Sequence, residues 1–112
     1  MEEIFRKRRI DALPRFGKRN GAFCASWFRG KSAFILDNFN GTLSDVFTLA
    51  HELGHATHDY YMSRSQTLMN IAVPPIVAET ASIFGELLLT DLMLEQAKSD
   101  ARSKAVLCMV LD

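Results

Sequence analysis

The chain has 112 residues, 13 Lys plus Arg against 13 Asp plus Glu, and 48% apolar residues. That size suits one domain or a piece of one, and the apolar share excludes a disordered chain. No run of 18 apolar residues occurs, which excludes a membrane-spanning helix, and the charged start MEEIFRKRRI lacks the apolar segment of a secretory signal.

Two cysteines, Cys24 and Cys108, are too few for a disulfide framework. They read as free thiols in a reducing compartment, and a cytoplasmic location is expected. Net charge zero hides a division. Residues 1–31 hold nine basic and three acidic side chains, whereas residues 32–112 hold four basic and ten acidic. The cluster Arg6, Lys7, Arg8 and Arg9 is short and has no stacking aromatics between its charges. It therefore reads as a solvated edge, and neither nucleic acid nor membrane is expected as a partner.

In chain order, residues 1–20 are charged and interrupted by Pro14 and Gly17, which predicts a loop or an extended lead-in. The apolar runs 21–28 and 32–39 are strand candidates, joined by the turn Arg29–Gly30–Lys31, and a β-hairpin over 21–41 is the simplest pairing. From Thr42 the period changes. Thr42 and Asp45 form a helix-start pair, with Ser44 as an alternative cap. Val46, Phe47, Leu49, Ala50, Leu53 and Ala56 then recur at helical spacing to about Met62. A polar loop follows over 63–75, closed by Pro74 and Pro75. A second helix is predicted over 76–98, with Ile83, Phe84, Leu87, Leu88, Leu92 and Met93 as its core face and a stripe wide enough for burial on more than one side. Ser99 or Asp100 starts a third helix over 100–112. It ends in the apolar run AVLCMVL, which favours a segment of a longer polypeptide over a docked terminal helix. The fold class is mainly α with a small β-hairpin or sheet (α+β).

Residues 51–55 read H-E-L-G-H. On a helix, His51 and His55 differ by about 40° in azimuth and about 6 Å in rise, so both imidazoles reach one point beside it. Zinc accepts such nitrogens at about 2.0–2.1 Å. Glu52 sits about 100° round the helix, off the ligand line but near the open side, where a carboxylate can take a proton from an activated water. With three His and six Glu in the chain, chance produces this pattern in about 1 chain in 250. A catalytic zinc needs a third protein ligand. Glu79, near the start of the second helix, is available. His58 competes but lies about 10 Å along the axis from His51, and reads as a polar neighbour. Glu79, Ser82 and Glu86 share one face of the second helix. Glu86, and no more strongly Ser82, is a candidate to hold a ligand imidazole by its other N–H, against a plain surface stripe. Asp45 reads as a cap.

The stretches DVFTLAHELGHATHDYY (45–61) and VAETASIFGELLLTDLM (77–93) resemble the core of the oligoendopeptidase F group, within the thimet-type oligopeptidase family of zinc metallopeptidases. GKRNGAFC (17–24) and FILDNFNGT (34–42) resemble it too, so the likeness covers nearly the whole chain. It implies a zincin-like core in which His51, His55 and Glu79 bind one zinc ion per chain and Glu52 is the general base. It also implies hydrolysis of short, unstructured peptides in the cytoplasm, and a sheet edge, from 21–28 or 32–40, that pairs with the substrate backbone.

Family enzymes are several times longer, and their oxyanion-stabilising Tyr and His groups lie beyond the zinc helices; Tyr60 and Tyr61 do not match them. The expectation is therefore a metalloendopeptidase core that hydrolyses peptides poorly or not at all by itself. The alternatives are a non-catalytic zinc-binding fragment or subunit that needs a partner chain, and a helical interaction module whose motif is accidental. The apolar helices predict self-association.

Overall fold

The computed structural model of the chain describes residues 2–26 and 33–111. It is mainly helical with one small sheet. In chain order come α1 (Glu2–Arg6), β1 (Ile10–Asp11), β2 (Phe23–Ala25), β3 (Phe34–Leu36), α2 (Leu43–Ser65), α3 (Pro75–Gln96) and α4 (Asp100–Leu111). No described helix is long and apolar enough to cross a membrane.

The lead-in is more ordered than its composition predicts. Glu2 and Glu3 occupy the first turn of α1 and Arg6 its last, so charges oppose the helix dipole at both ends. Glu3 also pairs with Lys7 one turn on. Ile4 is buried and joins the core. A helix of five residues is too short for periodicity to reveal. The two-residue β1 was likewise invisible as an alternating run. It pairs in parallel with β3, Ile10 opposite Ile35.

β2 and β3 form the expected antiparallel pair, Phe23 opposite Leu36 and Ala25 opposite Phe34. The predicted turn at 29–31 lies outside the described residues. The strand order is β1-β3-β2, so β3 is central. Ile35 points to the helical side, where it packs with Ile4, Ala33 and Ala56, flanked by Ile10, Cys24, Leu49 and Leu53. Phe34 and Phe23 lie on the other face under arginine guanidinium groups, Arg9 at 4.7 Å and Arg19 at 5.8 Å from the ring centres.

Lys18 ties the lead-in to the sheet. Its side chain is 1% exposed. The ammonium donates to the carbonyls of Asp11 (2.8 Å) and Leu13 (3.0 Å), to that of Asp37, and to the Asp11 carboxylate (3.2 Å). Asn38 Nδ2 donates to the carbonyls of Arg19 and Gly21 (2.8 and 3.0 Å), which anchors the approach to β2.

α2 begins with a complete capping box. The Asp45 N–H donates to Thr42 Oγ1 at 3.1 Å, and Asp45 Oδ2 accepts from the N–H groups of Thr42 and Asn40 at 2.9 Å. Thr42, not Ser44, is the cap. These bonds hold the Asp45 carboxyl below its usual range. The helix runs three residues past the predicted end, because Ser63 and Arg64 donate back to the Tyr60 carbonyl and the Arg64 guanidinium sits 3.4 Å over the Tyr60 ring. The connection to α3 is correspondingly short and holds a 3₁₀ turn, Leu68–Asn70. Pro75 is the first residue of α3, where its missing N–H costs no hydrogen bond.

The predicted core face of α3 is the main correction. Ile83, Phe84, Leu87, Leu88 and Leu92 are about half exposed. The residues that bury are Ser82 and Thr90, with Gly85 at the contact with α2. The reason is a backbone approach. A Cβ built on Gly54 would lie 2.3 Å from the Ala81 carbonyl oxygen, and one on Gly85 would lie 2.5 Å from that of Ala50. Two glycines let α2 and α3 touch main chain to main chain, so the small face of α3 goes inward and its large apolar side chains stay outside.

Candidate metal centre

Three elements build the site. α2 carries His51, Glu52 and His55; α3 carries Glu79, Ser82 and Glu86; β3 leads to Asp37 behind Glu52. The Gly54–Gly85 crossing sets the spacing between the two helices. It brings Glu79 of α3 opposite the histidines, a placement that the sequence separation alone does not specify.

The two imidazoles meet edge to face, with centroids 4.8 Å apart and planes at 82°. Glu79 Oε2 lies 3.3 Å from His51 Nε2 and 3.7 Å from His55 Nε2. One donor atom from each of the three residues falls within 4.8 Å of the others. Among the described residues they are the only such grouping of His, Cys, Asp and Glu. His58 is not in it and borders an apolar groove instead. Tyr60 and Tyr61 stack edge to face on each other at 5.4 Å, and Tyr60 is occupied by Arg64.

The carboxylates are held in different ways. Glu86 Oε1 lies 2.6 Å from His51 Nδ1. With a proton on Nδ1, the imidazole donates there and its Nε2 lone pair is left for a cation, the arrangement usual around metal-ligating histidines. Ser82, fully buried, places its hydroxyl 2.8 Å from both the carbonyl and Oε2 of Glu79. That hydrogen bond, followed by the two histidines, holds the Glu79 carboxyl below its usual range and so keeps it anionic.

Glu52 is pushed the other way. It is 6% exposed. Burial raises its carboxyl above the ordinary range, His51 and His55 oppose that, and Asp37 and Glu79 add to it. Its Oε2 and Asp37 Oδ2 are the buried side-chain atoms without a hydrogen-bond partner among the described residues. A carboxylate with raised proton affinity and a vacant lone pair beside two imidazoles is suited to accept a proton.

Residues 1–109 match Peptidase family M3. The chain belongs to that family. Among M3 relatives, it is 37% identical to an oligoendopeptidase F homolog of Lactococcus lactis subsp. lactis over all 112 residues, which is 18% of that protein. It is 31% identical to oligopeptidase PepF of Bacillus subtilis, again over the whole chain and 17% of the relative. The chain thus spans less than a fifth of the length of these M3 proteins. Of solved structures, one from Chlamydophila abortus superposes with a TM-score of 0.78 at 33% identity, covering 91% of this chain and 17% of that one. PZ peptidase A with an inhibitor superposes at 0.75 and 26% identity, covering 83% of this chain and 16% of that one.

Sequence reasoning missed the two glycines that bring the site together. Their signal was present, since a glycine inside a strongly helical run usually marks close packing. It also missed Asp37, whose relevance depends on where β3 ends relative to α2. Nothing in the local sequence announces that.

Proposed function

We propose that His51, His55 and Glu79 bind one zinc ion and that the chain is the zinc-binding core of a metalloendopeptidase acting on short peptides. The observation that carries this reading is the convergence of two imidazole Nε2 atoms and one carboxylate oxygen, with Glu86 on the far nitrogen of His51. Two nitrogens and one oxygen are the donor set of a catalytic zinc site that keeps a position open. A bound zinc ion supplies Lewis acidity towards a scissile carbonyl and a water molecule.

The residues divide the remaining work. Glu86 fixes the ring plane and protonation of His51. Ser82 holds Glu79 against rotation. Glu52 takes the proton of the attacking water and returns it to the leaving amine, and its raised proton affinity suits both transfers. For the peptide backbone, the sheet edge that falls within the two predicted candidates is β2; β1 is the other outer strand. β3 has a neighbour on both sides, so of the two predicted candidates only the segment around Phe23–Ala25 has an open side among the described strands. Its main-chain groups can pair with an extended peptide. The oxyanion-stabilising Tyr and His groups that the resemblance implies are not supplied by Tyr60 and Tyr61, which pack on each other, and the Ser82 hydroxyl is taken by Glu79. Such donors are commonly worth about 100–1,000-fold in rate, so the chain alone is expected to hydrolyse peptides weakly.

Metal analysis tests the proposal. After dialysis against metal-free buffer the protein retains close to one zinc per chain. His51→Ala and Glu79→Ala lose it, while Glu52→Gln keeps it and abolishes whatever hydrolysis the parent has. A zinc-free parent, or zinc retained by His51→Ala, overturns the ligand assignment. Zinc without hydrolysis until a second chain is added favours the subunit reading.

A further inference from the structure

α2 and α3 leave an apolar groove of about 440 Å³ between them. Gly54 and Gly85 form its floor, with Ala50 and Ala81 beside them, because residues this small leave the space above the helix crossing unfilled. One wall is α2, through Leu53, Thr57 and Tyr61. The other is α3, through Phe84, Leu88 and Leu92. These last three are four apart and so form one ridge, about 12 Å from end to end. His51, Glu52, His55 and Glu79 do not line the groove.

We infer that the groove is an interface with a second copy of this chain, in which the Phe84–Leu88–Leu92 ridge of each protomer lies in the groove of the other about a two-fold axis. Ridge and groove stand side by side on one face. That face is therefore complementary to itself, as a two-fold pair requires. Leu88, the middle of the ridge, falls nearest the axis. The metal centre lies outside the contact and stays open in the pair.

Charge and area both favour a second copy as the occupant. Among the described residues the lining contains no Asp, Glu, Lys or Arg, and a net charge of zero sets no overall repulsion between copies. Tyr61, Phe84, Leu88 and Leu92, with Val77 extending the ridge, are 44–64% exposed. A large side chain offers about 150–250 Å² when fully exposed, so these five and the half-buried Leu53 and Leu89 supply about 600 Å² per chain. A pair then buries about 1,200 Å², the lower end of the range for stable interfaces. Ile83 and Leu87 are as exposed as the ridge but lie outside the groove, so they separate this contact from general adhesion of apolar surface.

Sedimentation equilibrium of the full chain from about 1 to 200 μM tests this, with helix content checked by far-UV circular dichroism. The parent moves from 12.6 kDa to twice that mass and no further. Leu88→Glu sets a carboxylate from each copy at the axis and weakens pairing at least about 100-fold. Leu87→Glu, one position away and 51% exposed against 52% for Leu88, changes it less than about threefold. Should Leu88→Glu lose helix content, Leu92→Glu, one turn along the ridge, gives the same reading. A parent that stays monomeric throughout the series overturns the inference, and a monomer that instead binds an added apolar helical peptide assigns the groove to another chain. Equal weakening by Leu87→Glu and Leu88→Glu, or growth beyond the dimer, overturns it as well, since neither follows from a closed pair seated in the groove.

Discussion

Gly54→Ala tests the whole construction of the site with one methyl group. Its Cβ would sit 2.3 Å from the Ala81 carbonyl oxygen and 2.7 Å from Ser82 Cα. Both obstacles are main chain, so no side chain can swing aside and α3 must retreat by about 1 Å to restore van der Waals contact. Glu79 and Glu86 ride on α3 within four residues of that contact, and the histidines stay on α2. Glu79 Oε2 is now 3.3 and 3.7 Å from the two Nε2 atoms, whereas metal–ligand distances tolerate only about 0.2 Å of error. A retreat several times that tolerance should weaken zinc binding by about 10–100-fold, the range seen when supporting groups of metal sites are removed. Global stability is a poorer reporter. Overpacking costs about 1–3 kcal/mol, but Ala in place of a helical Gly returns about 1 kcal/mol. The net change is about 0–2 kcal/mol. Competition against a fluorescent chelator measures the zinc term, and thermal unfolding of the metal-free protein measures the other. Gly85→Ala should repeat the pattern from the opposite helix, since its Cβ meets the Ala50 carbonyl oxygen at 2.5 Å. If Gly54→Ala binds zinc as tightly as the parent and melts higher, the close crossing does not set the site and the reasoning fails.

Glu86→Ala leaves His51 Nδ1 without its carboxylate and should weaken zinc binding about tenfold by the same competition assay; parental affinity would show that the 2.6 Å contact does not orient the ring. Lys18→Met takes the ammonium from the part-buried Asp37 carbonyl, while the Asp11 carbonyl keeps the Asp37 N–H and that of Leu13 is open to water, at a cost of about 1–3 kcal/mol in urea unfolding, and a loss below about 0.5 kcal/mol would contradict the clamp. The Asp11 carboxyl is held down to about 2 by the Arg15 guanidinium first and Lys18 second. Because the folded value is depressed, its contribution is complete above the unfolded value near 3.8 and disappears as pH falls towards about 2. Asp11→Asn should therefore flatten the acid-unfolding curve within that window and nowhere else. Burial, reinforced by Asp59 and Glu52, pushes the Cys24 thiol up to about 12, while Cys108 is exposed. A disulfide reagent at pH 8 should modify one thiol per native chain and two in denaturant, and two fast thiols in the native state would place Cys24 outside the core.

The exposed leucines of α3 show why hydrophobic pattern alone misassigns a face. Ile83, Phe84, Leu87, Leu88 and Leu92 recur at helical spacing, and an apolar stripe predicts burial. Which stripe meets α2, however, depends on how close the two backbones come, and Gly54 with Gly85 favours the small face. The lead-in failed for a different reason. β1 exists only because β3, 25 residues on, supplies its hydrogen bonds, and two residues carry no period of their own.

What the sequence by itself determined was everything set within one or two helical turns. The period of α2 places His51 and His55 on one side and Glu52 a quarter-turn away, the Thr42–Asp45 pair starts that helix, and Pro75 opens the next. Those features follow from a fixed rise and twist per residue and need no partner. Only the tertiary structure decided that Glu79 stands opposite the imidazoles, that Glu86 rather than Ser82 holds His51, that β2 and not β3 keeps an open edge, and that Glu52 is buried next to Asp37. Each of these is a distance between segments far apart in the chain. Such distances are set by how closely backbones pack and which strands pair, and no local spacing encodes them.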